Sequence, residues 1–77
     1  MSRQDKITEI VMRVSKNGAA PDPAESLFDS GYLDSFALTD MVTEIEREFG
    51  ISIPDSELTP RRFDSVEKID AQIAKWL

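Results

Sequence analysis

In the string Asp34-Ser35-Phe36 a hydroxyl stands at the mouth of an amphipathic segment. Beyond it, Leu38, Met41, Val42, Ile45 and Phe49 recur at offsets of three and four, which lays one apolar stripe along a helix. Before it runs the turn-rich, acidic stretch Phe28-Asp29-Ser30-Gly31-Tyr32-Leu33. A serine so placed is held by rigid structure yet faces water. A helix N-terminus has unpaired N–H groups and the positive end of the macrodipole, so it favours an attached anion. Those are the requirements for esterification by a phosphate-containing arm. The plainer reading of Ser35 is a helix cap, the ordinary role of a serine at a helix start. Ser30 also follows an aspartate, but it sits in the loop before Gly31, and Ser35 is the favoured site.

The composition removes most other chemistry. With no cysteine and no histidine among 77 residues, the chain has no thiolate or imidazole metal ligand and no histidine-dependent nucleophile. No calcium-loop pattern of spaced Asp and Asn residues occurs. Self-contained catalysis is therefore not expected, and an enzyme would have to rest on carboxylates, lysines or a serine with an unusual base. A thiol that works on this protein must arrive on a prosthetic group. The net charge of −6 is uneven: the first sixteen residues and the last seventeen are slightly basic, and Arg47 is the one base among ten acids between them. Such an acidic centre steers basic protein partners toward it and repels nucleic acid. No apolar run approaches membrane-spanning length and no signal peptide opens the chain, so a cytoplasmic protein with no membrane insertion is expected.

The elements that must position the serine are helical. Ile7, Ile10, Val11 and Val14 define a first helix from about Arg3 to Lys16, capped by Ser2 and stopped at Asn17-Gly18. Ala19 to Leu33 contains Pro21, Pro23 and Gly31 and reads as a long loop, pinned to the core by Leu27, Phe28, Tyr32 and Leu33. A second helix runs from Ser35 to Phe49, and Gly50 closes it. Ile51 and Ile53 plug into the core before Pro54. One short helix belongs between Asp55 and Phe63. Asp64-Ser65-Val66-Glu67 reads as a capping box led by the aspartate. The last helix carries Val66, Ile69, Ile73, Trp76 and Leu77 on one side. The expectation is a single all-α domain, 1–77: a small bundle of three main helices plus one short helix.

Three strings in order, Leu27-Phe28-Asp29-Ser30-Gly31-Tyr32-Leu33-Asp34-Ser35-Phe36, then Glu46-Arg47-Glu48-Phe49-Gly50-Ile51-Ser52-Ile53-Pro54, then Phe63-Asp64-Ser65-Val66-Glu67-Lys68-Ile69, resemble the acyl and peptidyl carrier proteins. Asp-Ser alone is a weak motif; the three strings with their spacing are specific. The resemblance implies that Ser35 carries 4′-phosphopantetheine, transferred from coenzyme A by a phosphopantetheinyl transferase. It also implies that Asp34, whose bland reading is a cap or a solvated acid, helps place the transferase's metal and the serine hydroxyl. The terminal thiol of the arm would hold an acyl or aminoacyl group as a thioester. Further implied partners are an acyl- or aminoacyl-activating ligase and a downstream acyl-accepting enzyme, and the protein would be a monomer. Phe36, Asp40, Glu44 and Glu46 become candidate partner contacts, against the bland readings of a first-turn staple for Phe36 and a solvated face for the acids.

Ala37, Thr39, Thr43 and Arg47 depart from the fatty-acid-synthesis type of carrier. The Leu-Asp-Ser-Phe string and Leu58-Thr59-Pro60 look closer to D-alanyl and stand-alone peptidyl carriers. The competing class is a non-covalent, acidic helical adaptor that keeps the fold and binds a basic partner without the arm.

Overall fold

Ser2 starts the first helix by reciprocal capping. Its Oγ accepts the Asp5 N–H at 3.1 Å, and its own N–H donates to the Asp5 carboxylate at 3.2 Å, so two otherwise orphaned donors are satisfied. Here, as throughout, the structure is a computed structural model, and it describes residues 2–16 and 18–77. Helix α1 spans Arg3–Ser15 and buries Ile7, Ile10 and Val11. It ends on Lys16, whose φ of 60° is left-handed, a conformation that costs an L-residue about 1–2 kcal/mol. The sequence places that stop at Asn17-Gly18; Asn17 lies outside the described residues, and the left-handed residue falls earlier, on Lys16.

Helix α2 spans Ser35–Phe49 with Leu38, Met41, Val42 and Ile45 buried, and its bounds are those the periodicity predicts. Gly50, at φ 66°, closes it and donates its N–H to the Glu46 carbonyl, the usual left-handed stop. The chain then inserts Ile53 into the core, with Ile51 partly buried beside it. The short third helix is one 3-10 turn, Asp55–Glu57, directly after Pro54. Phe63 follows and is fully buried.

Helix α3 spans Val66–Ile73 and buries Val66, Ile69 and Ile73. Its cap corrects the sequence reading. Ser65, not Asp64, is the N-cap, its Oγ accepting the Lys68 N–H at 3.1 Å. Asp64 is engaged elsewhere: its carboxylate accepts the Ser26 hydroxyl at 2.8 Å, and the helix begins one residue later. The chain finishes in a 3-10 turn, Ala74–Trp76. Trp76 is partly buried against the core, but Leu77 is 57% exposed, because the tighter 3-10 winding breaks the 3.6-residue period that would have carried it inward.

Helix α1 packs against both α2 and α3. One continuous core joins them, and Leu27, Leu33, Ile53 and Phe63 from the connections are part of it. Arg13–Glu44 and Lys6–Glu48 link α1 to α2, and Arg3–Asp70 links α1 to α3. Among the described residues no helix is long and apolar enough to cross a membrane.

Two outcomes test this architecture. Ser65→Ala lowers unfolding free energy by about 1 kcal/mol in urea denaturation, whereas a near-neutral result would return the cap to Asp64. The Arg3 guanidinium, hydrogen-bonded to Asp70, holds that carboxyl below its ordinary value, with a smaller contribution from Gln4. A depressed folded pKa means the stabilisation is present above the unfolded value of about 3.9 and is lost as pH falls through the lower folded value. The stability gap between wild type and Asp70→Asn, followed by urea denaturation, therefore stays constant above pH of about 5 and closes below it.

Candidate functional site

Asp34 makes the geometry around Ser35. Its backbone is extended, at φ −131° and ψ −172°. Its carboxylate accepts the Ala37 N–H at 2.8 Å, and its carbonyl accepts the Leu38 N–H at 2.9 Å. Asp34 is therefore the N-cap, and Ser35 is the first helical residue. The plain reading of Ser35 as the cap is overturned. Its side chain is exposed, and no hydrogen bond engages its hydroxyl among the described residues. The rival hydroxyl is not free: Ser30 Oγ donates to the Glu25 carboxylate at 2.7 Å. That contact, followed by the Asp22 N–H, holds the Glu25 carboxyl below its ordinary value.

The loop before Ser35 is closed on itself by backbone hydrogen bonds. The Leu27 carbonyl accepts both the Tyr32 N–H at 2.9 Å and the Leu33 N–H at 3.0 Å. Gly31 turns the chain at φ 82° and donates its N–H to the Phe28 carbonyl at 3.2 Å; the positive φ is the reason glycine suits this position. Leu27 and Leu33 are buried, while Phe28 and Tyr32 are partly buried, as the sequence reading expects of a pinned loop.

The candidate partner contacts divide. Phe36 is 84% exposed, so its reading as a core staple fails and its apolar ring stands free beside Ser35. Asp40 is exposed, one helical turn beyond Phe36. Glu44 lies between Arg13, at 2.6 Å, and Arg47, at 3.9 Å. Glu46 accepts the Ile53 N–H at 2.7 Å, an intramolecular role that the charge pattern does not reveal. Arg13, Lys16 and Arg47 with Asp40, Thr43 and Glu44 line a shallow recess of about 340 Å³ between α1 and α2. Sequence reasoning also missed Asp64, whose carboxylate ties the loop to the start of α3; its signal was an acidic residue beside, rather than at, the helix cap.

Among the described residues, a small helical bundle presents an exposed, unengaged serine hydroxyl at the start of α2, the arrangement a carrier domain needs. Comparison with known proteins agrees. The family described as "phosphopantetheine attachment site" matches residues 5–69. The D-alanyl carrier protein of Streptococcus pyogenes serotype M5 (strain Manfredo) is 32% identical over 69 residues, 90% of this chain and 87% of that one. Among solved structures, a Bradyrhizobium japonicum glycine:[carrier protein] ligase in complex with glycylated carrier protein gives a match 34% identical, with a TM-score of 0.74, covering 90% of this chain and 95% of the other. A Mycobacterium tuberculosis protein assigned as an acyl carrier protein shares the fold at a TM-score of 0.83 and 22% identity, covering 99% of this chain and 100% of that one. The chain belongs to the phosphopantetheine-attachment family, and its cofactor is covalent 4′-phosphopantetheine. A free, exposed hydroxyl is what a phosphodiester to that group requires.

The differing states of Phe36 and Glu46 set a contrast in urea denaturation. Phe36→Ala leaves stability within about 0.5 kcal/mol of wild type. Glu46→Ala lowers it by about 1–3 kcal/mol, because a part-buried N–H loses its acceptor, and Glu46→Gln recovers most of that loss.

Proposed function

We propose that Ser35 is the attachment residue and that the protein carries an aminoacyl or short acyl group as a thioester to partner enzymes. The observation that carries this reading is the Ser35 hydroxyl itself: exposed, without a partner among the described residues, and relieved of capping duty by Asp34. In the loading reaction the Ser35 oxygen forms a phosphodiester to the pantetheine phosphate of coenzyme A. The pyrophosphate bond breaks, the adenosine bisphosphate half leaves, and the hydroxyl proton passes to a base of the transferase. When bound, the arm supplies the thiol that a chain without cysteine lacks.

Every other task of the chain is positional. Asp34 fixes the helix start through its carboxylate on the Ala37 N–H and, in this reading, helps place the transferase's metal and the serine hydroxyl. Phe36 and Asp40, both exposed on the first turns of α2, form the docking face. Glu44 and Glu46 contribute less, since each is already engaged within the fold. The partners are a phosphopantetheinyl transferase, an acyl- or aminoacyl-activating ligase and an acyl-accepting enzyme. Support for aminoacyl cargo comes from the relatives, a D-alanyl carrier and a glycylated carrier bound to its ligase. The chain itself performs no catalysis. It acts as a single-domain monomer, in the cytoplasm, where coenzyme A is at hand.

Intact-mass measurement after incubation with coenzyme A and a broad-specificity transferase tests the assignment. Wild type and Ser30→Ala gain one phosphopantetheine, and Ser35→Ala gains none. Modification that survives Ser35→Ala would move the arm elsewhere.

A further inference from the structure

The serine's loop is anchored to the bundle chiefly at Asp64, the residue before the α3 cap. The Asp64 carbonyl accepts the Leu27 N–H at 2.6 Å. A single carboxylate oxygen of Asp64, Oδ1, accepts both the Ser26 hydroxyl at 2.8 Å and the Phe28 N–H at 3.4 Å. The Ser26 hydroxyl oxygen in turn accepts the Asp29 N–H at 3.1 Å. Leu27, held in this way, receives the N–H groups of Tyr32 and Leu33 on its carbonyl, and Leu33 leads directly into the Asp34 cap and Ser35. Nearby, the Glu67 N–H donates to the Pro23 carbonyl at 3.0 Å, so the first turn of α3 holds the loop at a second point. A charged acceptor in a half-buried setting makes stronger hydrogen bonds than a neutral one. The bonds run unbroken from the residue before the α3 cap to the residue before the α2 cap.

We infer that Asp64 is a positioning residue for modification of Ser35: it holds the 26–33 loop in the one arrangement in which the hydroxyl is offered to the transferase. This rests on Ser35 being the attachment residue. If the loop is ordered only part of the time, the competent form is a fraction of the population, and apparent affinity falls by that fraction. The signature is a raised KM for the carrier with kcat little changed, in a protein that remains folded.

The test is steady-state phosphopantetheinylation with coenzyme A and the transferase, with amide hydrogen exchange at Tyr32 and Leu33 beside it. Asp64→Ala raises KM for the carrier on the order of tenfold and speeds exchange of both amides comparably. Asp64→Asn keeps an oxygen at the Oδ1 position and returns KM to within about threefold of wild type. Asp70→Ala, which breaks the Arg3 contact elsewhere on α3, lowers stability without moving KM, and so separates loop order from global destabilisation. Should Asp64→Ala not fold, Ser26→Ala removes the same relay from the loop side and raises KM about threefold. An unchanged KM in folded Asp64→Ala, or in Ser26→Ala where that variant stands in, overturns the positioning role while leaving the Ser35 assignment intact. A wild-type chain that accepts no arm overturns both.

Discussion

Burial of a long loop is the constraint on which this molecule turns. A loop pressed onto a core must pair its backbone polar groups, because water can no longer reach them. Leu27 meets that demand on both sides. Its side chain is fully buried, its N–H is taken by the Asp64 carbonyl, and its carbonyl receives two N–H groups from the chain that returns toward Ser35. Without disulfides, a chain of 77 residues has few other means of fixing such a segment. The serine's position is therefore a tertiary property. Helix α2, begun by the Asp34 cap, supplies the direction of the hydroxyl, and the loop and the start of α3 hold that helix start against the bundle.

The same economy governs charge. An acid-rich α2 would repel itself and hold nothing in place if every carboxylate faced water alike. Instead the acids are sorted. Asp34 caps, Glu46 holds the Ile53 N–H, and Glu44 bridges two arginines. Asp40 is exposed and no internal contact engages it among the described residues. Exposed ion pairs such as Lys6–Glu48 add little to stability, so α1 and α2 are held chiefly by Ile7, Val11, Met41 and Ile45. In the proposed function, the exposed carboxylate of Asp40 serves encounter with partners.

The helices were legible in the sequence because each combines a 3.6-residue apolar period with a recognisable stop or start, as at Gly50 and Ser2. Ser35 stood out because three strings agree around it, and the structure places it, exposed, at the first position of α2. What was not legible depended on competition between neighbours. Asp64 and Ser65 are both good caps, and only the proximity of Ser26 and Phe28 draws Asp64 into the loop and leaves the cap to Ser65. Phe36 reads as a first-turn staple, yet it lies two residues before Leu38, off the apolar stripe of α2, and is 84% exposed. Leu77 continues the apolar period on paper, but the final 3-10 turn carries it out of register. Glu46 looked like one more acid on a solvated face; its acceptor role exists only because the chain folds back after Gly50 to bring the Ile53 N–H to it.

A carrier has to be recognised by several enzymes in succession and released by each. Tight docking would stall the sequence, since differences in affinity among related complexes lie mostly in the dissociation rate. The proposed docking face fits that need. One exposed aromatic ring, buried at an interface, supplies about 2 kcal/mol of apolar burial, and an exposed carboxylate at the rim such as Asp40 speeds encounter more than it holds. Neither makes a persistent complex by itself. Residence then depends on the swinging arm reaching its acceptor, where a short tether raises the effective concentration of cargo without adding contact area. A firmly held loop makes this division possible. On the proposed attachment at Ser35, with its oxygen fixed relative to Phe36 and Asp40, a partner that reads the proposed face brings its catalytic centre within reach of the arm.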